Sequence, residues 1–363
     1  MNYNFYELFF KLLRLGIGSE IYKDFPDLSN DEWNRICFFA KKQAVIGILT
    51  DGIECLPSEK RPERAIMLKL IDLCLKIEKT NKKLNSKAAE LTLHYKNSGF
   101  TPILLKGQGV ATMYPKPERR MPGDIDLWLP EGREKVKEFV KKEYPEAKAL
   151  YMHIEVKPEE GVTLEIHNVP ALMYNPFAFR KLRKMMNGWK DMATELELPD
   201  GAGKVLVPCD EMNRVYMLAH KFRHLFTEGI GLRQMMDYMM LLRKGFTEEE
   251  KDDTVKKLKE LHLDVFCRAV MYVLTEYLGM EKKFCLMEPD KGAGERLLDI
   301  IIEGGNFGKF NAERISEKNK KRSLLGKYIA ANIKNIRFIG DYTNEVLWGP
   351  YFMLYNWIWR HTR

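Results

Sequence analysis

The hydrophobic positions divide the chain into three stretches with different periods. Before residue 99, apolar side chains recur at helical spacing, as they do between Ile66 and Leu84. The middle stretch contains runs in which apolar and polar residues alternate, which indicates strands. Helical spacing returns from Cys209 onward. The pattern predicts an α+β protein, in which a small mixed β-sheet core is flanked by helical regions. The expected boundaries are 1–98 for an N-terminal helical region, 99–208 for the α/β core and 209–363 for a C-terminal helical domain.

The strands of the core are the best defined elements. Residues 101–105 form a short apolar run suited to a buried strand, and residues 124–129 alternate strictly. Two further alternating runs flank a Lys-Pro-Glu-Glu-Gly turn at 157–161, so they predict a hairpin. Glu165 lies on the polar face of its second strand.

Several helix ends are marked by local sequence. Ser29–Glu32 offers a cap before an apolar helical run, and Thr247–Glu250 has the form of a capping box. Gly99 follows the long helical stretch and is expected to stop it. Residues 131–143 form a charged run that predicts a helix after the strand at 124–129.

Composition narrows the class of protein. The 363 residues are 45% hydrophobic and 30% charged, which is ordinary for a globular protein and excludes disordered and fibrous classes. No apolar run approaches the roughly 20 residues of a membrane span. The N-terminal apolar stretch does not resemble a signal peptide, because Glu7 precedes it and Lys11 and Arg14 interrupt it. A cytoplasmic location is therefore expected. The six cysteines show no metal-binding spacing and are expected to be buried thiols.

The positive charge is concentrated near the C-terminus. The net charge is +8, and the segment 309–337 carries nine Lys or Arg against two Glu. Such a segment suits a phosphate-bearing partner such as nucleic acid, a nucleotide or a membrane surface, but it also suits a solvated helix face. The aromatic residues at 348–359 are expected to pack against the aromatic N-terminal helix.

Acidic residues in the core form the most informative pattern. Asp124 and Asp126 are two positions apart on one strand, so their side chains point the same way. Carboxylates that close repel each other unless a cation lies between them, and such pairs suit hard divalent cations. Replacing both with Asn is therefore expected to maintain or raise the stability of the metal-free protein. Glu165, on a later strand, would supply a third oxygen ligand.

Together with the Leu-Lys-Gly-Gln-Gly run at 105–109, these residues resemble the polymerase-beta-type nucleotidyltransferase superfamily. Within it, Leu-Lys-Gly, a following Arg and the Gly-Asp-Ile-Asp-Leu run at 123–127 are similar to a bacterial group of poorly characterised nucleotidyltransferase-like proteins. The resemblance covers residues 100–168 and extends weakly to 231–237. The usual Gly-Ser or Gly-Gly turn appears here as Lys106-Gly107-Gln108-Gly109.

The resemblance implies an enzyme that moves a nucleoside monophosphate from a nucleoside triphosphate to an acceptor with Mg²⁺ or Mn²⁺. Asp124, Asp126 and Glu165 would be the catalytic residues and the metal ligands. Further residues are expected around the nucleotide, with Lys106 and Arg119 or Arg120 neutralising phosphate charge. The complete nucleotide-binding set is Lys106, Gly107, Gly109, Arg119, Arg120, Gly123, His167 and Arg233. His167 is equally compatible with a hydrogen-bonded strand histidine, and the two glycines at 107 and 109 with the tight entry to a helix.

Alternatives remain open at several points. The same fold without turnover would make a binding module for a nucleotide, nucleic acid or a protein partner; the three acids favour the enzyme and the altered turn favours the module. The acceptor is open among a small molecule, a peptide, a protein side chain and an RNA end. Arg233 and Asp237 are placed either to pair along their helix or to border the nucleotide. His220 and His224, one helical turn apart, would line a cleft facing the core or lie on a helix surface.

Overall fold

A computed structural model describes residues 3–306 and 324–362 of the chain. Its helices fall before, within and after a single sheet. The helices are α1 (Tyr3–Gly16), α2 (Asn30–Lys42), α3 (Ile46–Glu54), α4 (Arg64–Asn97), α5 (Gly107–Ala111), α6 (Arg133–Glu143), α7 (Pro176–Trp189), α8 (Asp210–Phe226), α9 (Leu232–Leu242), α10 (Glu248–Glu260), α11 (Asp264–Tyr272), α12 (Lys291–Gly304), α13 (Leu324–Ile336) and α14 (Thr343–Thr362).

The sheet is mixed and has seven strands in the order β3-β4-β5-β2-β1-β7-β6. The strands are β1 (Ile103–Leu105), β2 (Ile125–Trp128), β3 (Lys148–Ala149), β4 (His153–Glu159), β5 (Val162–His167), β6 (Thr194–Leu198) and β7 (Gly203–Val207). The central strand β2 pairs antiparallel with β1 and parallel with β5. The α+β fold expected from the sequence is confirmed, with the sheet in the middle of the chain and helices on both sides of it.

Both faces of the central strand are covered. Ile125 and Leu127 pack with buried residues of α4, α6 and β5, whereas Trp128 on the other face belongs to a larger apolar core. That larger core contains buried residues from α1 to α14 and so joins all three predicted regions of the chain. Asp126 shares its face with Trp128 and is therefore only 6% exposed, although its residue type favours water.

The local signals for helix ends are confirmed. Ser29 and Thr247 each accept a bond from the backbone N–H three residues ahead, and the Glu at that position bonds back, which completes two capping boxes. The long helix α4 ends at Asn97, and Gly99 follows it with φ +81°. The helix predicted over residues 131–143 begins at Arg133 and ends at Glu143.

The hairpin has a different turn from the one expected. A five-residue turn at 157–161 would set Val156 opposite Val162, but Val156 lies opposite Leu164 because β4 continues to Glu159, with an irregularity in between. Two elements that the patterns above do not single out, α7 and the β6–β7 hairpin, extend the sheet and its cover.

The C-terminal aromatic residues pack elsewhere than expected. Tyr151 contacts the rings of Phe352, Tyr355 and Trp359, whereas Phe9 of α1 contacts Phe39. The expectation that the C-terminal aromatic residues pack mainly against the N-terminal helix is therefore wrong. Most of the basic segment (Lys309, Arg314, Lys318, Lys320, Lys321 and Arg322) lies outside the described residues. Among the helices that are described, none has the length and apolarity needed to cross a membrane.

Candidate functional site

The carboxylates singled out in the sequence meet at the centre of the sheet. In the parallel register of β2 and β5, Asp126 lies beside Glu165, and Trp128 beside His167. Asp124 precedes β2 by one residue and is two positions from Asp126, so it projects on the same side. Loss of water, followed by repulsion from Asp126 and Glu165, raises the pKa of Asp124. Asp126 and Glu165 are therefore close enough to Asp124 to affect its ionisation.

Two cationic or polar side chains hold Asp126. Its Oδ1 lies 2.9 Å from Lys106 Nζ and 2.8 Å from His167 Nε2. Burial alone would raise the pKa of this carboxyl, but the Lys106 ammonium and the His167 imidazole together lower it. Asp126 is therefore ionised, and its Oδ1 is shared by two side chains of the protein.

A second group of donors adjoins Asp126. His167 Nε2 also lies 3.3 Å from Glu165 Oε2, and His153 Nε2 on β4 lies 3.5 Å from Glu165 Oε1. Among the described residues, His153, Glu165 and His167 form a group whose ligand atoms all lie within 4.8 Å of one another. Two imidazoles and a carboxylate beside two further carboxylates are donors that fit a divalent cation.

The Lys-Gly-Gln-Gly turn brings β1 against the start of β2. Lys106 and Gly107 have φ values of +47° and +45°, and a Cβ on Gly107 would lie 3.4 Å from the backbone oxygen of Asp124. A Cβ on Gly109 would meet Val207 at 3.2 Å. Glycine is therefore favoured at Gly107 by its positive φ and at Gly109 by the tight contact with the Val207 side chain. It also aims the Lys106 side chain at Asp126.

Helix α8 closes the site on the side of Lys106. His220 Nε2 lies 3.0 Å from Lys106 Nζ and 2.8 Å from His224 Nε2. His224 Nδ1 in turn lies 3.2 Å from a carboxylate oxygen of Glu228. Burial, reinforced by the nearby Lys106 charge, places the pKa of His220 well below its ordinary value. Of the two alternatives left open for this histidine pair, the structure shows the one in which it faces the core.

Arg119 and Arg120 are engaged away from this cluster. Arg120 donates two bonds of 2.7 and 2.8 Å to Asp237, which also accepts a 2.8 Å bond from Tyr114 Oη. Arg119 Nε lies 3.0 Å from a carboxylate oxygen of Glu78 on α4. Both guanidinium groups thus tie the segment before β2 to surrounding helices. Of the cationic side chains expected to neutralise phosphate, Lys106 is the one that contacts Asp126.

Arg233 supports the loop that leads to Asp124. Its Nη1 donates to the backbone oxygens of Met121 and Pro122 at 3.0 and 2.9 Å. A Cβ on Gly123 would lie 3.4 Å from the same nitrogen, so the loop and the guanidinium are in close contact. Arg233 therefore lies beside the loop before Asp124, where it contacts the backbone; a role toward the nucleotide stays a prediction. Asp237, one turn along α9, accepts from Arg120.

A cavity of about 630 Å³ lies beside the glycine turn. Lys106 and Gly109 form part of its wall, and Glu195, Asn213 and Arg243 add polar groups to a mostly apolar lining. This volume is within the range of small-molecule sites.

Sequence reasoning missed His153. The alternation of the first hairpin strand places it on the polar face, but the assumed five-residue turn would set it opposite Glu165. The observed register sets His153 opposite His167. Both registers place His153 on the face of Glu165 and His167, so it was missed because alternation alone does not mark a polar strand residue as part of a site.

The fold and this site define a nucleotidyltransferase-type protein: a mixed sheet carries paired carboxylates on a central strand after a glycine-containing turn. The profile of a family described as "Uncharacterised nucleotidyltransferase" matches residues 29–279, which is more than half of the chain. The chain belongs to this family, which implies transferase activity and a nucleotide substrate.

Other comparisons add little. Among solved structures, the chain is similar to an antigenic nucleotidyltransferase-like protein from Paracoccidioides brasiliensis, with 13% identity and a TM-score of 0.36. The match covers 59% of this chain and 97% of that one. A likeness at this level supports no statement about activity. No curated protein matches the chain.

Proposed function

We propose that the protein transfers a nucleoside monophosphate from a nucleoside triphosphate to an acceptor with a divalent metal ion, Mg²⁺ or Mn²⁺, in the manner of polymerase-beta-type nucleotidyltransferases. The observation that carries the proposal is the register of β2 and β5, which sets Glu165 beside Asp126, with Asp124 two positions before it. Family membership supports the nucleotide substrate.

In this proposal Asp124, Asp126 and Glu165 hold the metal. When bound, the ion would stabilise charge on the triphosphate and make the acceptor hydroxyl more acidic. The acceptor oxygen attacks the α-phosphorus, the bond from that phosphorus to the oxygen bridging the β-phosphate breaks, and pyrophosphate leaves. Glu165, which is partly exposed, receives the acceptor proton. Lys106 neutralises phosphate charge, and the turn at Gly107–Gly109 lets phosphate approach the backbone.

The test is a screen of nucleoside triphosphates labelled at the α-phosphate, with Mg²⁺ or Mn²⁺. Pyrophosphate release and labelling of the protein or of added acceptors are measured. Asp124→Asn should abolish release, whereas Asp200→Asn, at an exposed carboxylate in a loop between β6 and β7, should leave it unchanged. Equal release by the wild type and Asp124→Asn would contradict the proposal.

One observation favours a second function, a binding module without turnover. The Lys106 ammonium, 2.9 Å from Asp126, already supplies a cation to the central carboxylate. Such a module would bind a nucleotide, nucleic acid or a protein partner through the same cleft. It would show saturable nucleotide binding by calorimetry together with no pyrophosphate release under any metal, and the enzyme proposal would then fail.

A further inference from the structure

The end of the β4–β5 hairpin places three metal-binding side chains on one face. His153 and His167 are a cross-strand pair, and Glu165 is two positions before His167 on β5. Directly opposed residues and residues two apart on a strand project to the same side of a sheet. The convergence of His153, Glu165 and His167 therefore follows from backbone register and does not depend on a flexible loop.

The separations between these donors match those of ligands around one ion. The nitrogen-to-oxygen distances from Glu165 are 3.5 Å to His153 and 3.3 Å to His167. Ions held at about 2.0–2.2 Å by N and O ligands have neighbouring ligand atoms roughly 3.0–3.5 Å apart. All three ligand atoms lie within 4.8 Å of one another, so the side chains would close around an ion from positions already near each other.

The site is also open on one side. His167 is 1% exposed, whereas His153 and Glu165 are partly exposed. Three protein ligands that leave free positions for water or substrate are the arrangement found at catalytic metal centres, while structural centres are closed by four.

The donor types decide which metal fits. Mg²⁺ takes oxygen ligands and keeps its waters, whereas imidazole nitrogens favour first-row transition metals. Asp126 Oδ1 lies 2.9 Å from Lys106 Nζ and 2.8 Å from His167 Nε2, so an ion bound to His167 would replace the imidazole proton that Asp126 now faces. The group of His153, Glu165 and His167 offers two nitrogens for one carboxylate, with Asp124 as a neighbouring carboxylate.

We propose that His153, Glu165 and His167 form a site for a first-row transition-metal dication such as Mn²⁺, Co²⁺ or Zn²⁺, which the protein binds in preference to Mg²⁺. The inference deepens the proposed function, because it rests on the same carboxylate site and names the class of ion held there. Binding is measured without turnover, so either proposal can fail while the other stands.

The experiment uses the full chain after removal of metal with a chelator. Calorimetric titrations with MnCl₂, ZnCl₂ and MgCl₂ should show binding of Mn²⁺ and Zn²⁺ at least tenfold tighter than that of Mg²⁺. His153→Ala should weaken Mn²⁺ and Zn²⁺ binding at least tenfold and change Mg²⁺ binding less than threefold. His94→Gln is the control for surface imidazoles, since His94 contacts Glu143, and it should bind all three ions as the wild type does.

Co²⁺ provides an independent readout, because its visible absorption reports the nitrogen and oxygen ligands directly. The spectrum of the wild type should change in His153→Ala and remain in His94→Gln. Equal affinity of the wild type for Mg²⁺ and Mn²⁺ would overturn the inference, and this comparison needs no variant. Unchanged Mn²⁺ binding in folded His153→Ala would do the same. Nucleotide turnover together with equal affinity for Mg²⁺ and Mn²⁺ would leave only the proposed function standing, and His153-dependent metal binding without turnover would leave only this inference.

Discussion

Asp124 and Asp126 are two residues apart, yet replacing each with Asn should change the stability of the metal-free protein in opposite directions. Asp126 is buried and contacts Lys106 and His167, which lower its pKa. Asp124 has a raised pKa because water is lost around it and because Asp126 and Glu165 repel it. Neutralising Asp126 removes attraction, whereas neutralising Asp124 removes repulsion. The sequence-based expectation that replacing both would maintain or raise stability is therefore reversed for Asp126.

The magnitudes follow from these contacts. Hydrogen bonds to charged groups contribute about 1.5–3 kcal/mol each, and Asp126 makes two that an Asn oxygen would keep only in part. Leaving a buried cation without its partner costs about 3–5 kcal/mol, and Lys106 is partly exposed, so we expect Asp126→Asn to lower the free energy of unfolding by less, about 2–4 kcal/mol. Two positions along a strand span roughly 7 Å, where unit charges repel by about 0.6 kcal/mol in water. Because the Asp124 residue is exposed although its carboxyl is partly shielded from water, Asp124→Asn should gain no more than about 0.5–1 kcal/mol.

The assay is thermal and urea unfolding in the presence of a chelator, with Asp200→Asn as the control for an exposed carboxylate. The control should unfold at the same temperature and urea concentration as the wild type. Asp126→Asn should unfold at lower values of both, and Asp124→Asn at the same or higher values. If Asp126→Asn were as stable as the wild type, Asp126 would not hold Lys106 and His167 in solution. The site geometry argued above would then be wrong.

Four further results are expected. Asp237→Ala leaves Arg120 without its buried partner and should cost about 3–5 kcal/mol in urea unfolding, whereas Lys204→Ala, at an exposed ion pair, should leave the midpoint nearly unchanged. Gly107→Ala forces a side chain onto φ +45° and should lower stability by about 1–2 kcal/mol, as measured by the same method. Burial raises the pKa of Glu345 from 4.5 to about 7, so between these pH values the folded chain retains a proton that the unfolded chain releases, and stability falls as pH rises. Glu345→Gln should remove this fall in melting curves taken between pH 5 and 8. An unchanged dependence of the melting temperature on pH would refute the assignment. If the segment 309–337 binds RNA, affinity should drop steeply with salt, and that slope should flatten, at unchanged thermal stability, in a variant with Gln at positions 318, 320, 321 and 322.

The elements that sequence could predict are those whose signal is local. A capping box uses two side chains within one turn, so Ser29 and Thr247 mark their helices without knowledge of the fold. The strand at 124–129 is similarly defined by alternation. The β6–β7 hairpin was missed although Thr194–Leu198 alternates, because its two Glu residues resemble a solvated loop when the pairing strand is unknown. The division into regions at residues 98 and 208 stays a prediction.

The candidate site shows the same limit. The Asp-x-Asp spacing gives the shared direction of Asp124 and Asp126, and alternation gives the face of Glu165. Neither the spacing nor the alternation identifies the oppositely charged side chain that a given residue contacts. Arg120 stands four residues before Asp124 in the chain, yet its guanidinium bonds Asp237 on α9, which is over a hundred residues away. Which cation meets which acid depends on long-range packing, and a single sequence does not contain that information in readable form.

The contact between Lys106 and Asp126 bears on both candidate functions, the enzyme and the binding module. In the metal-free protein the buried carboxylate needs a counter-charge, and the Lys106 ammonium at 2.9 Å provides it. A divalent ion bound beside Asp126 would take over that role, and the lysine would then be free to contact phosphate. The same side chain thus stabilises the empty site and, in the enzyme, would recognise the triphosphate. Lys106→Met separates the two roles. In a binding module that uses Lys106 only as the counter-charge, the substitution lowers stability alone. In the enzyme, the substitution also weakens binding of the triphosphate relative to that of the nucleoside.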